Sequence, residues 1–234
     1  MTTRRITKTK TDAGGARSKL RAASYSALHE YEKGCPRRVF YARVERRPDP
    51  LGPAAQRGNR IHEATYKHLV QNQDFPREME KMRKHLTQLK GDIYELECEG
   101  DWAVNRNWDP TEWLADDVYI RCKTDVLALA GDKTRTIDFK TGREYEHHVE
   151  QMELQALFTF IRNEHVNALT CELWYVDQGE ISSFKVKRKE VDDLKSKFVP
   201  RVDKLLEETA WPERPGQGCK WCPFSRAKGG PCRY

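Results

Sequence analysis

The sequence predicts an α/β fold, a mixed sheet of about five strands flanked by helices, and three observations predict it. The chain has 234 residues, 38% hydrophobic and 33% charged, enough for one sizeable core. Its middle is rich in strand-favouring residues punctuated by turn signals. The segments on either side carry apolar residues at helical spacing.

The elements follow in order. Ser24-Tyr25-Ser26 offers a serine cap for a short helix ending near Gly34. Cys35-Pro36 restarts the chain, because proline is accepted in a first helical turn, and Arg37 to Val44 reads as helical. Arg46 to Pro53 is a proline-rich loop, and Ile61, Thr65 and Leu69 mark a helix from about Ala54 to Val70. A charged helix is expected from Met79 to Lys90. The period then changes: Ile93 to Val104, Val118 to Leu129 and Thr134 to Lys140 read as strands, with a hairpin turn at Gly131-Asp132. Val149 to Asn163 is helical, Thr170 to Val176 and Ile181 to Val186 form a second hairpin, and Val191 to Thr209 is a last amphipathic helix.

The net charge of +6 sits at one end. Residues 1–21 hold Arg4, Arg5, Lys8, Lys10, Arg17, Lys19 and Arg21 against the single acid Asp12, which accounts for all of it and leaves the rest neutral. Residues 1–22 therefore read as a disordered basic tail, solvated first, an arm near DNA second and an organelle-targeting peptide third. The core is expected over 23–210 and a cysteine-rich metal-binding segment over 211–234. No apolar run is long enough to span a membrane or direct export, so an intracellular protein is expected, in the cytoplasm or in host cytoplasm if phage-encoded.

Chemistry concentrates in Thr124-Asp125-Val126-Leu127 and Ile137-Asp138-Phe139-Lys140. Charges in apolar strands are costly unless paired or bound to metal. Counting back from a two-residue turn at Gly131-Asp132 puts Asp125 directly opposite Asp138, with Cβ atoms about 5 Å apart. Two acids so close require a cation, and Lys140 projects from the same face. That is a hard-cation site for Mg²⁺ or Mn²⁺ beside an ammonium that can orient or deprotonate a water; the plainer alternative is an ion triad that only joins strands.

The run Gly58 to His62, then Asp125, Asp138-x-Lys140 and Gln151, resembles the RecB-like branch of the PD-(D/E)XK nucleases. The resemblance implies a restriction-endonuclease-like sheet and a metal held by His62, Asp125, Asp138 and the carbonyl of Phe139. It also implies that Lys140 serves the water and Gln151 orders the site. The family's usual Gln-x-x-x-Tyr is here Gln151 followed by Gln155.

Of seven cysteines, Cys98, Cys122 and Cys171 sit among strand-like residues and read as small buried hydrophobes. Cys219-x-x-Cys222 and Cys232 supply three thiols at metal-binding spacing, and Cys35, alone outside the strands, is assigned as the fourth. Zinc and iron-sulfur both suit four thiolates. One early cysteine with three late ones is similar to the iron-staple nucleases, including AddB-type repair nucleases, CRISPR-adaptation exonucleases and phage relatives. That likeness implies a structural 4Fe-4S cluster that ties the N- and C-terminal segments together. The expected substrate is DNA, single-stranded or with free ends, in recombination, repair or phage DNA processing, with recombination or replication proteins as partners. The alternatives are an endonuclease or flap nuclease with the same centre, and a silent DNA-binding subunit. Arg37, Arg38, Arg57 and Arg60 are candidate phosphate contacts unless surface acids pair with them. Trp221 and Phe224 are candidate stacking residues, although packing on the metal knot is favoured for Trp221.

Overall fold

The computed structural model describes residues 18–91 and 95–234. The tail residues 1–17 and the strand start expected at Ile93 lie outside them. Ser24 caps α1 (Tyr25–Lys33), its hydroxyl accepting the Ala27 amide at 3.3 Å. Pro36 opens α2 (Pro36–Val39), which widens into a π-helical turn over Phe40–Val44, and Pro53 opens α3 (Pro53–Gln71). A 3₁₀ turn (Arg77–Met82) leads into α4 (Arg83–Gly91).

Among the described residues, seven strands form one mixed sheet: β1 (Ala23–Ser24), β2 (Glu95–Val104), β3 (Pro110–Thr111), β4 (Ile120–Leu129), β5 (Arg135–Lys140), β6 (Ala168–Tyr175) and β7 (Glu180–Lys187). The order is β3-β2-β4-β5-β6-β7, with β1 also against β4. Parallel neighbours need a crossover, and α5 (Glu146–Arg162) supplies it between β5 and β6. It packs with α1 and α6 (Val191–Glu207) on one sheet face, around Leu28, Leu154, Phe158 and Phe198. Ile61 of α3, Met82 and Leu86 cover the other face with Val126, Ile137 and Phe139. The two-residue strands β1 and β3 exceed the five strands expected; their brevity gives no alternation to read. No helix among the described residues is long and apolar enough to cross a membrane.

Two irregularities build the site. Strands β2 and β4 hold one register from Glu95 opposite Leu129 to Val104 opposite Ile120, yet their even-numbered residues change faces midway. Leu96, Cys98, Val126 and Ala128 pack towards α3 and α4, whereas Trp102, Val104, Ile120 and Cys122 pack towards α5. The reversal falls at Glu99 and Asp125, where Glu99 takes a φ of 55°. That left-handed conformation costs a non-glycine residue roughly 1–2 kcal/mol.

The second irregularity is a parting of strands. β4 and β5 pair as Ala128–Arg135, Leu127–Thr136 and Val126–Ile137, the register expected from sequence, but the connection is a 3₁₀ turn at Gly131–Lys133 instead of a two-residue turn. Pairing ends there, so Asp125 and Asp138 stand where the strands separate.

The segment Ser18–Ala22, read as part of the tail, lies on the body. The Ser18 carbonyl accepts the Trp211 indole N–H at 2.7 Å, Leu20 packs on the core, and Arg21 pairs with Asp116.

Candidate active site

Where β4 leaves β5, the Phe139 amide donates to Asp125 Oδ2 at 2.7 Å. Asp125 Oδ1 faces His62 Nδ1 at 3.1 Å, and His62 Nε2 lies 3.1 Å from the Phe139 carbonyl oxygen. His62 reaches across from α3 because its neighbour Ile61 is fully buried in the layer beneath. Glu99 Oε1 lies 4.0 Å from the same ring, and His62, Glu99 and Asp125 each offer a donor atom within 4.8 Å of the others. One imidazole with carboxylates and a carbonyl is a donor set for a divalent ion such as Mg²⁺ or Mn²⁺.

The charge on this group is unbalanced. Burial works against a charged His62 ring, but the Asp125 hydrogen bond and the charges of Asp125, Asp138 and Glu99 prevail and raise its pKa to about 9. Acceptors flank both ring nitrogens, an arrangement that only the imidazolium satisfies with two donors. Burial, then Asp125, push the Glu99 carboxyl upward as well.

A second group adjoins it. Asp138 is 2% exposed, and its Oδ1 accepts from Gln151 Nε2 at 2.9 Å and Gln155 Nε2 at 3.0 Å. Its Oδ2 lies 2.7 Å from Lys140 Nζ but accepts no aligned hydrogen bond. Lys140 Nζ donates to Gln151 Oε1 at 2.8 Å, so one amide bridges the ammonium and the carboxylate. Burial and the Asp125 charge push the Asp138 pKa up against the opposing pull of Lys140. His147 and His148 begin α5 nearby; burial and neighbouring positive charge, Lys140 included, lower both, His148 to about 4.

The expected residues thus divide. His62, Asp125 and the Phe139 carbonyl meet, while Asp138, Lys140 and Gln151 form the adjacent network. Sequence reasoning missed Glu99, which the β2–β4 register sets opposite Asp125. It also left Gln155 without a role. That side chain is fully buried, donates to Asp138 and to the Lys123 carbonyl, and accepts the Thr136 hydroxyl.

Two of the candidate phosphate arginines have acidic partners. Arg57 forms a bidentate pair with Asp177, which also accepts the Gly142 amide, and Arg38 pairs with Glu30 and Asp49. Arg37 donates to the Ala210 carbonyl and lies over Phe40. Arg60 is exposed and has no ion pair among the described residues.

Away from this centre, Cys35, Cys219, Cys222 and Cys232 line one cavity of about 420 Å³ between the two ends of the chain. The Arg214 amide points at Cys35 Sγ, at 3.4 Å. No three cysteine sulfurs among the described residues lie within 4.8 Å of one another. Phe224 packs inward on Tyr41, whereas Trp221 is 81% exposed, contrary to the packing expected of it. The inward positions beside the cysteines are taken by Phe224 and Ser225. Cys122 and Cys171 are buried, and desolvation raises their thiols, as befits small hydrophobes.

A family model described as the PD-(D/E)XK nuclease superfamily matches residues 22–227. The crystal structure of SSO0001 is 16% identical, with 92% of this chain and 87% of that chain covered and a TM-score of 0.40. A "putative exonuclease" from Eubacterium rectale is 10% identical, with 97% and 93% covered and a TM-score of 0.50, a likeness of fold. No curated protein matches the chain.

Proposed function

The chain belongs to the PD-(D/E)XK nuclease superfamily, and from that premise we propose that it is a Mg²⁺- or Mn²⁺-dependent deoxyribonuclease, an exonuclease on single-stranded or frayed DNA ends. The observation that carries this reading is the meeting, at one parting of strands, of a nitrogen-and-oxygen donor set and a lysine held by an amide. His62, Glu99, Asp125 and the Phe139 carbonyl would hold the ion. Asp138 would join them; its Oδ2 accepts no aligned hydrogen bond. When bound, the ion supplies Lewis-acid stabilisation of a phosphate oxygen. Lys140 orients the attacking water and exchanges its proton. Gln151 fixes the ammonium against Asp138, and Gln155 fixes Asp138 in turn. Recombination, repair or phage DNA processing is the setting proposed, with proteins of those processes as partners.

We propose further that Cys35, Cys219, Cys222 and Cys232 hold a structural 4Fe-4S cluster. One observation supports it. The four line the same cavity although Cys35 precedes the sheet and the others follow it.

The test is digestion of end-labelled linear and circular single strands in Mn²⁺. Progressive loss of linear DNA with the circle intact supports an exonuclease. Cutting of the circle replaces it with an endonuclease, and no cleavage of either removes the catalytic reading.

A further inference from the structure

A second cavity adjoins the proposed centre. It encloses about 500 Å³ between the start of α1, the end of the π-helical turn, Trp113 and β4, and Gln151 forms part of its wall. Among the described residues, six lysines and arginines line it, and no carboxylate does. Lys123 and Arg21 have acidic partners outside, Asp101 and Asp116. Arg43, Arg46 and Arg121 have none among the described residues. Arg121 is half-buried, donates Nε–H to the Trp113 carbonyl at 2.8 Å and lies 5.2 Å from the centre of that indole, which Lys123 also approaches at 5.4 Å. Burial and the neighbouring charges of Arg21 and Arg46 disfavour its positive form, which is the mark of cations gathered without an anion.

We propose that this cavity is an end-recognition site for the terminal phosphate of a nucleic-acid strand, with Arg121 and Arg46 as anion ligands and Trp113 as the wall beside the terminal nucleotide. The inference rests on the nuclease reading and extends it. A terminal phosphate carries about −1.5 to −2 charges at pH 7, against one for an internal phosphodiester, so it answers a cluster of unpaired cations better. The volume suits a nucleotide and not a duplex. Gln151 belongs both to this wall and to the Lys140–Asp138 bridge, so a strand end seated here lies next to the atoms proposed to cleave it.

The experiment measures binding of fluorescent oligonucleotides in EDTA, so that cleavage plays no part. Four otherwise identical strands are compared: 5′-phosphorylated, 3′-phosphorylated, hydroxyl at both ends, and circular. One phosphorylated end is expected to bind about tenfold tighter than the hydroxyl-ended strand, and which end it is gives the polarity. Arg121→Gln and Arg46→Gln should each bring that ratio close to one. Because Arg121 also supports Trp113, the exposed Arg46 keeps the test valid if Arg121→Gln folds poorly. Equal binding of all four strands, or an end preference that survives Arg46→Gln, overturns the site. Cleavage in Mn²⁺, scored separately, tests the nuclease reading: an enzyme that cuts every strand but shows no end preference keeps its centre and loses this pocket.

Discussion

Asp138 carries its charge under a roof of two glutamine amides, with a lysine beside it and Asp125 across the opening. A carboxylate so placed is costly to the fold. Asp138→Asn should therefore abolish cleavage while leaving the thermal midpoint in EDTA unchanged or higher; a large fall would show that the carboxylate serves the fold. Lys140→Ala should lower turnover by about 10²–10⁴-fold, the range of a proton-transfer group. Glu99 permits a sharper test. Its φ of 55° suits glycine, so Glu99→Gly should stabilise the metal-free protein by about 1 kcal/mol in denaturant unfolding and weaken Mn²⁺ retention. Unchanged Mn²⁺ affinity would exclude Glu99 as a donor. The β4–β5 register was legible, because the hairpin fixes it once recognised, but the direct opposition of Asp125 and Asp138 was not, since pairing stops at Val126–Ile137. The part played by Glu99 was not, since nothing in a strand-like run marks one residue as left-handed.

At the scale of elements, one ion-pair network joins three helices. Arg201 of α6 donates to Glu32 of α1 and Glu150 of α5, and Tyr25 also donates to Glu150. The Arg201 hydrogen bond lowers the Glu150 pKa to about 2. A depressed carboxylate stabilises the fold above its unfolded pKa of about 4.3, and that contribution disappears as pH falls towards the folded value. Glu150→Gln should thus lower the thermal midpoint at pH 7 and cost progressively less from about pH 4 down to 2. A deficit independent of pH would assign the loss to packing instead. The helices and long strands were legible because their apolar periods differ. The turn between β4 and β5 was not, because Gly131-Asp132 suits both a two-residue turn and the 3₁₀ turn that forms. The face reversal within β2 and β4 was hidden for a related reason: it keeps register and changes only which side each residue meets.

At the scale of the whole molecule, the ends of the chain are drawn together. Trp211 is buried and donates to the Ser18 carbonyl, and the cysteines of both termini share one cavity. A chain beginning at Ser18 should match the full chain in thermal midpoint, whereas one beginning at Ala22 loses Leu20, Arg21 and the Trp211 contact and should melt lower, by about 2–4 °C per kcal/mol lost. Equal melting of both would show that this edge bears no load. Cys35→Ser should give insoluble or protease-sensitive protein and Cys98→Ser a milder defect, with the iron proposed here appearing as broad absorption near ~400 nm in anaerobic preparations. That Cys35 lines one cavity with the last three cysteines accords with their position outside the strands. The cation-lined cavity was not, because its arginines come from segments far apart in sequence.

The central claim is that phosphodiester hydrolysis occurs where β4 and β5 part. Its most direct test is single-turnover cleavage of a labelled single strand by metal-stripped protein after Mn²⁺ is returned, with wild type beside Asp138→Asn and Lys140→Ala at matched thermal midpoints. The account predicts cleavage that requires Mn²⁺ in the wild type, none detectable in Asp138→Asn, and a rate about 10²–10⁴-fold lower in Lys140→Ala. Cleavage by both variants at the wild-type rate would contradict it.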